Sequence, residues 1–281
     1  MKTFKLGNIR ILKDKEGDTL IISQEHLEEC LEYINQHKVF QVEINDDFEH
    51  EDVHFLHECP TIEKLSISNH FIKDISGIYN LKKLKTLAIN DTKTTLQLKL
   101  NNLTTLEALY GELPKKTTGL EELINLKKLE LWKYSPKNSN FEELKGLLKV
   151  KDIRLTQAKI TSLKGIEKLN QLEKFELSYN NALTDIDDIS DSIVNLEIHS
   201  CKKIINFNPI NRLKKLEKLK LTECGEVPSL SFIEELANLK SFVFSGTTVL
   251  DGNLSACEGI EYIYFTEKKH YSHRNKDFQA N

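Results

Sequence analysis

One apolar frame recurs along most of this chain at intervals that leave few folds open. It runs apolar residue, two residues, apolar residue, one residue, apolar residue, first clearly at Ile62, Leu65 and Ile67. Nine further copies follow, with middle anchors at Leu87, Leu109, Leu129, Ile153, Phe175, Leu196, Leu219, Phe242 and Ile263. From Leu65 onward the intervals are 22, 22, 20, 24, 22, 21, 23, 23 and 21 residues. A weaker copy, Val39, Val42 and Ile44, precedes Leu65 by 23 residues. A fixed period of this size marks a repeat array in which each repeat is one structural unit.

The apolar period changes inside each repeat. Leading into a frame it is three, as in Leu163, Ile166, Leu169, Leu172 and Phe175, and it then drops to two, from Phe175 to Leu177. A period near three suits a 3₁₀ or short helical turn with one buried edge, and a period of two suits a strand with one buried face. Each repeat therefore makes a strand, turns and returns through a short helical segment. A single coil cannot bury its apolar edge alone, so coils stack and their strands pair in parallel. The predicted fold is an α/β solenoid: a horseshoe with a parallel concave sheet, short helical or 3₁₀ convex segments and about 10–11 coils. At about 4.8 Å per strand the concave face would be roughly 50 Å long.

These frames resemble leucine-rich repeats of the bacterial internalin type over Val39 to Phe265. The resemblance implies a protein-binding surface. It departs from the family at the turn position three residues after the last strand anchor, usually Asn or Cys. Asn180, Cys201 and Cys224 fit, but His70, Thr92, Pro114, Tyr134, Ala158 and Thr247 do not. A continuous asparagine ladder is absent, so less regular turns are expected.

Residues 1–38 read as an N-terminal cap, 39–265 as the repeats and 266–281 as a polar C-terminal tail, either a short covering turn or frayed. In the cap, Phe4 to Leu12 and Thr19 to Ile22 predict two strands around a turn at Asp14 to Asp18. Ser23 is a candidate helix N-cap, and Leu27, Cys30, Leu31 and Ile34 follow at helical spacing.

Composition narrows the function. Of 281 residues, 39% are hydrophobic, enough for thin coils, and 29% are charged with a net charge of -4, which fits neither a nucleic-acid binder nor an acidic mimic. The opening MKTFKLGNIRILKDKEGD lacks the apolar core of a secretory signal, and no run is long enough to cross a bilayer. The five scattered cysteines do not form a disulfide framework and fit reduced thiols. A cytoplasmic, monomeric protein with no cofactor is expected.

His50-Glu51-Asp52-Val53-His54 matches HExxH, in which a helix presents two zinc-binding histidines and a general base. With His57 and Cys59 close by, a metal-dependent hydrolase through His50, Glu51 and His54 is one alternative. However, Val53, Leu56, Cys59 and Ile62 continue the period-three stripe, which makes this an ordinary convex segment without a deep cleft, with neither catalytic nor metal-binding residues. Cys201 and Cys224 hold matching positions in adjacent coils and read as buried thiols packing the turn. Gly77, Gly119 and Gly165 share one register and read as turn residues.

Residues between strand anchors point away from the core. One such row reads Ser66, Ala88, Tyr110, Glu130, Arg154, Glu176, Glu197, Lys220, Val243, Tyr264. The next contains Trp132, the only tryptophan, followed by Thr156, Ser178, His199 and Thr222. Trp, Tyr and Arg carry most interface energy. The candidate protein-binding residues are Tyr110, Glu130, Trp132, Arg154, Glu176, Tyr179 and His199. The alternating charges also read as a solvated cross-strand ladder. The function expected is a non-catalytic protein-interaction module, with a dedicated inhibitor, such as an immunity protein neutralising a toxin, as alternative.

Overall fold

The computed structural model describes residues 2–14, 17–90 and 95–278. Thr92, two residues of the expected turn at 14–18, and the last three of the expected tail lie outside them. The chain divides into two compact units, Met1–Leu126 and Lys127–Asn281. The division falls in the shortest repeat interval, between Leu109 and Leu129.

The first unit opens with three antiparallel strands, β1 (Lys2–Leu6), β2 (Ile9–Asp14) and β3 (Gly17–Ile21). This corrects the expected single strand from Phe4 to Leu12. Gly7 adopts a positive φ of 60° and, with Asn8, turns that run into a hairpin. Helix α1 (Leu27–His37) follows, burying Cys30 and Ile34. Its N-cap is His26, with no capping side-chain bond, and not Ser23, which precedes a further turn. Next come β4 (Gln41–Ile44), β5 (Lys64–Ser68), β6 (Thr86–Asn90) and β7 (Ala108–Gly111), each parallel to its predecessor, with β4 also parallel to β3.

The second unit stacks β8 (Lys128–Trp132), β9 (Asp152–Thr156), β10 (Lys174–Ser178), β11 (Asn195–His199), β12 (Lys218–Thr222), β13 (Ser241–Phe244) and β14 (Tyr262–Phe265), all parallel. The strand anchors face one core. Leu129, Ile153, Phe175, Leu196 and Leu219 are cross-strand neighbours and all buried, as are Leu131, Leu155, Leu177, Ile198 and Leu221.

The period-three stripes are chains of i to i−3 hydrogen bonds. Ile166 donates to Leu163, Leu169 to Ile166 and Leu172 to Leu169, at 3.0, 2.9 and 3.1 Å, so every third side chain returns to the core. The same chain runs through Val53, Leu56, Cys59 and Ile62. Gly77 is required by coil stacking, because a Cβ there would lie 2.0 Å from the Val53 carbonyl oxygen. Gly165 is required on both counts, by its φ of 102° and because a Cβ would lie 2.5 Å from the Phe141 carbonyl carbon.

The turns that leave the strands of the second unit are more regular than the missing asparagines suggested. Lys133, Gln157, Tyr179, Ser200 and Glu223 all adopt the left-handed conformation, with φ of 52–57°, and Gly246 continues the row at 68°. Each non-glycine case costs roughly 1–2 kcal/mol. In return each backbone N–H reaches a carbonyl at the end of the next strand: Gln157 donates to Ser178 and Tyr179 to His199, both at 2.8 Å.

The residue after each of these turns points inward, and four of them bond the strand of the preceding coil. Asn180 Nδ2 donates to the Leu155 carbonyl at 3.1 Å, Cys201 Sγ contacts that of Leu177 at 3.8 Å, Cys224 Sγ that of Ile198 at 3.2 Å, and Thr247 Oγ1 donates to that of Leu221 at 2.8 Å. Amide, thiol and hydroxyl thus fill one role in one ladder. In the first unit that role falls to Asn69, not His70. Its side-chain nitrogen donates to the Asn45 and Phe48 carbonyls, both at 2.6 Å, and its oxygen accepts the Phe71 and Ile72 N–H groups.

Beyond β14 the chain folds back onto the last coil. Asn275 accepts from the Phe265 N–H at 3.1 Å and donates to its carbonyl at 2.9 Å, as a neighbouring strand would. Tyr271 buries its ring against Phe265 and accepts the Val249 N–H at 2.9 Å.

Candidate functional site

The open sheet face of the second unit carries the rows expected from strand alternation. Glu130, Arg154, Glu176, Glu197, Lys220, Val243 and Tyr264 are successive cross-strand neighbours, and Trp132, Thr156, Ser178, His199 and Thr222 form the row beside them. Five of the seven candidate residues lie in these rows, and Tyr179 sits in the turn just after β10. Tyr110 belongs to β7 of the first unit, half-buried and in register with Ala88.

Arg154 is the organising charge. Its Nε donates to Glu176 Oε2 at 2.7 Å, and its Nη1 lies 3.5 Å from Glu130 Oε1. Glu130 is the least exposed of the three, with 15% of its side chain accessible, against 45% for Arg154. Partial burial disfavours the Arg154 charge, but Glu176, then Glu130 and Asp152, outweigh it and raise the pKa above its ordinary value. Exposed ion pairs contribute little stability, so the chief effect of this network is to hold a guanidinium in one place.

At the end of β8, Trp132 is 40% exposed, and among the described residues no hydrogen bond, ion pair or ring contact engages its side chain. Tyr179, 45% exposed, projects from the left-handed turn after β10 and meets His199 edge to face, ring centroids 4.8 Å apart. Ser178, Glu197, Lys220 and Thr222 were not among the candidates but, with Glu176 and His199, line a depression of about 270 Å³. Their row positions were readable from strand alternation; that they surround a hollow was not. A polar cleft of about 530 Å³ in the first unit contains the ion pair of Arg10 with Asp47, at 2.6 Å.

The HExxH segment does not form the helix that its chemistry needs. A 3₁₀ turn, His54–Glu58, starts only at the second histidine. Glu51 pairs with Lys73, and His54 lies 3.4 Å from both Asp52 and Asp74 carboxylates. Among the described residues no three His, Cys, Asp or Glu side chains are grouped to hold a metal ion. All five cysteines are free and buried, and burial pushes the Cys224 thiol up to about 12. No helix among the described residues is long and apolar enough to cross a membrane.

No family profile matches the chain, and no curated protein matches it. Solved structures do. An internalin (inlF) from Listeria monocytogenes is 19% identical, with a TM-score of 0.63 over 85% of this chain and 71% of that one. The functional domain of InlJ from the same organism, which includes a cysteine ladder, is 14% identical, with a TM-score of 0.51 over 75% of this chain. This chain spans 50% of that one. At such identities the likeness is one of fold, and it agrees with the repeat frames, the parallel strands and the 3₁₀ returns. The chain has a leucine-rich repeat solenoid fold of the internalin type.

Proposed function

We propose that this protein is a non-catalytic interaction module that binds a protein partner on the open sheet face of its second unit. Trp132, Arg154, Glu176, Tyr179 and His199 would make the contact, with Glu130 holding Arg154 in place and Tyr110 as an outlying candidate. The observation that carries the reading is the unengaged Trp132 beside a fixed guanidinium. A large aromatic and an immobilised arginine lose little conformational entropy on binding, and both residue types dominate interface energies. The solenoid architecture supports the reading, since such sheets present extended binding surfaces. The buried, unpaired thiols favour a reducing compartment such as the cytoplasm.

The test is affinity capture with the full chain, followed by binding measurements on the captured protein. Trp132→Ala and Arg154→Ala should each weaken binding by about 2 kcal/mol or more. Unchanged affinity in both variants would move the interface elsewhere. A captured enzyme that loses its activity on binding would make the module an inhibitor.

A further inference from the structure

We infer that the depression over β10, β11 and β12 receives an arginine side chain of the partner; this rests on the binding face proposed above and specifies its chemistry. Glu176 and Glu197 are direct cross-strand neighbours. Like charges placed opposite each other destabilise a sheet, and parallel strands set them only about 4.8 Å apart.

Their cations stand on the outer sides. Arg154 engages Glu176 from β9, and Lys220 reaches Glu197 from β12 at 3.4 Å. Lys220 itself lines the depression, so the negative charge open to a partner is that of the carboxylate oxygens which Lys220 and Arg154 do not engage. Glu197 Oε1 has no hydrogen-bond partner among the described residues, and Glu176 Oε1 has only the Ser178 hydroxyl at 3.4 Å. Thr222 also lines the depression, and its buried hydroxyl oxygen has no hydrogen-bond partner among the described residues.

A guanidinium suits this place better than an ammonium. Its planar fork can donate to two carboxylates at once, whereas a lysine brings a compact, strongly hydrated charge. His199 also lines the depression, and its ring, set at a right angle to that of Tyr179, is a planar group on which a guanidinium can stack.

The probe is the tripeptide Gly-Arg-Gly, titrated into the isotope-labelled full chain and followed by backbone amide chemical shifts. Gly-citrulline-Gly, the same shape without charge, is the control, and Gly-Lys-Gly separates guanidinium from ammonium. Gly-Arg-Gly should shift Glu176, Ser178, Glu197, His199 and Thr222, weaken with added salt, and bind at least tenfold more tightly than the citrulline peptide. The double variant Glu176→Gln with Glu197→Gln should lose that preference while its melting temperature stays at or above that of the parent, since a repulsive pair has been removed. Shifts elsewhere, no shifts, equal response to citrulline or lysine, or a preference that survives the double variant would each overturn the inference. If the arginine peptide fails while a captured partner still depends on Trp132, the binding face stands and only this inference falls.

Discussion

Leu131 and Trp132 are consecutive residues on β8 with opposite surroundings, so truncating each to alanine separates core from surface on one strand. Leu131 is 1% exposed and pairs across the sheet with the equally buried Leu155. Leu131→Ala removes about three methylene equivalents, at roughly 0.8 kcal/mol each. Adding the cavity left between stacked coils gives a loss of about 3–4 kcal/mol. For a folding unit of this size that lowers the melting temperature by roughly 6–16 °C. Trp132→Ala leaves no cavity, since the indole lies on the outer face, and should change stability by less than about 1 kcal/mol. Thermal and urea melts followed by far-ultraviolet circular dichroism provide the comparison. If Trp132→Ala melts early while Leu131→Ala does not, the strand register is inverted and every assignment of the open face fails with it.

Three further perturbations probe the turns and the 3₁₀ segments. Asn180→Ala leaves the Leu155 carbonyl and the Ala158 N–H without their buried partner, and should cost about 2–4 kcal/mol, read as a lower urea midpoint; a neutral effect would mean that the ladder adds nothing. Gly77→Ala forces a Cβ against the Val53 backbone, and should destabilise the first unit by about 1–3 kcal/mol, checked by amide exchange around the His54–Glu58 turn; unchanged protection there would refute the stacking argument. The Ser76 backbone N–H, then its hydroxyl, with His54 beyond, hold the Asp74 carboxyl below its ordinary value. A depressed carboxylate pKa gives stability that is full above the unfolded value and lost as pH falls through the folded one, here below about pH 4. Asp74→Asn should therefore lose less stability than the parent between pH 5 and pH 3 in urea melts, and equal losses would discount the pair.

The parts of the fold that follow side-chain periodicity were legible. Every middle anchor from Leu65 to Ile263 is buried, and the rows on the open face keep the register that alternation predicts. The parts that depend on backbone conformation were not. Lys133, Gln157, Tyr179, Ser200 and Glu223 share no chemistry that announces a left-handed turn; position after the strand selects it, and cross-coil hydrogen bonds sustain it. The ladder was hidden because amide, thiol and hydroxyl are interchangeable as donors to a strand carbonyl. The N-terminal hairpin was missed because Gly7 and Asn8 sit inside an apparently continuous strand. At the site, Trp132 stood out as the only tryptophan. The Arg154 network was foreshadowed by alternating signs, but the depression between Glu176 and Glu197 needed side-chain positions to be seen.

Because Trp132 is the only tryptophan in the chain, a 5-fluorotryptophan label gives one fluorine resonance that reports on the proposed binding face alone. Titrating the captured partner into labelled protein should shift or broaden that resonance until saturation, at the stoichiometry measured independently by calorimetry, and should protect it from a soluble paramagnetic quencher. A saturated complex in which the resonance neither moves nor gains protection would place the interface away from Trp132 and contradict the central claim.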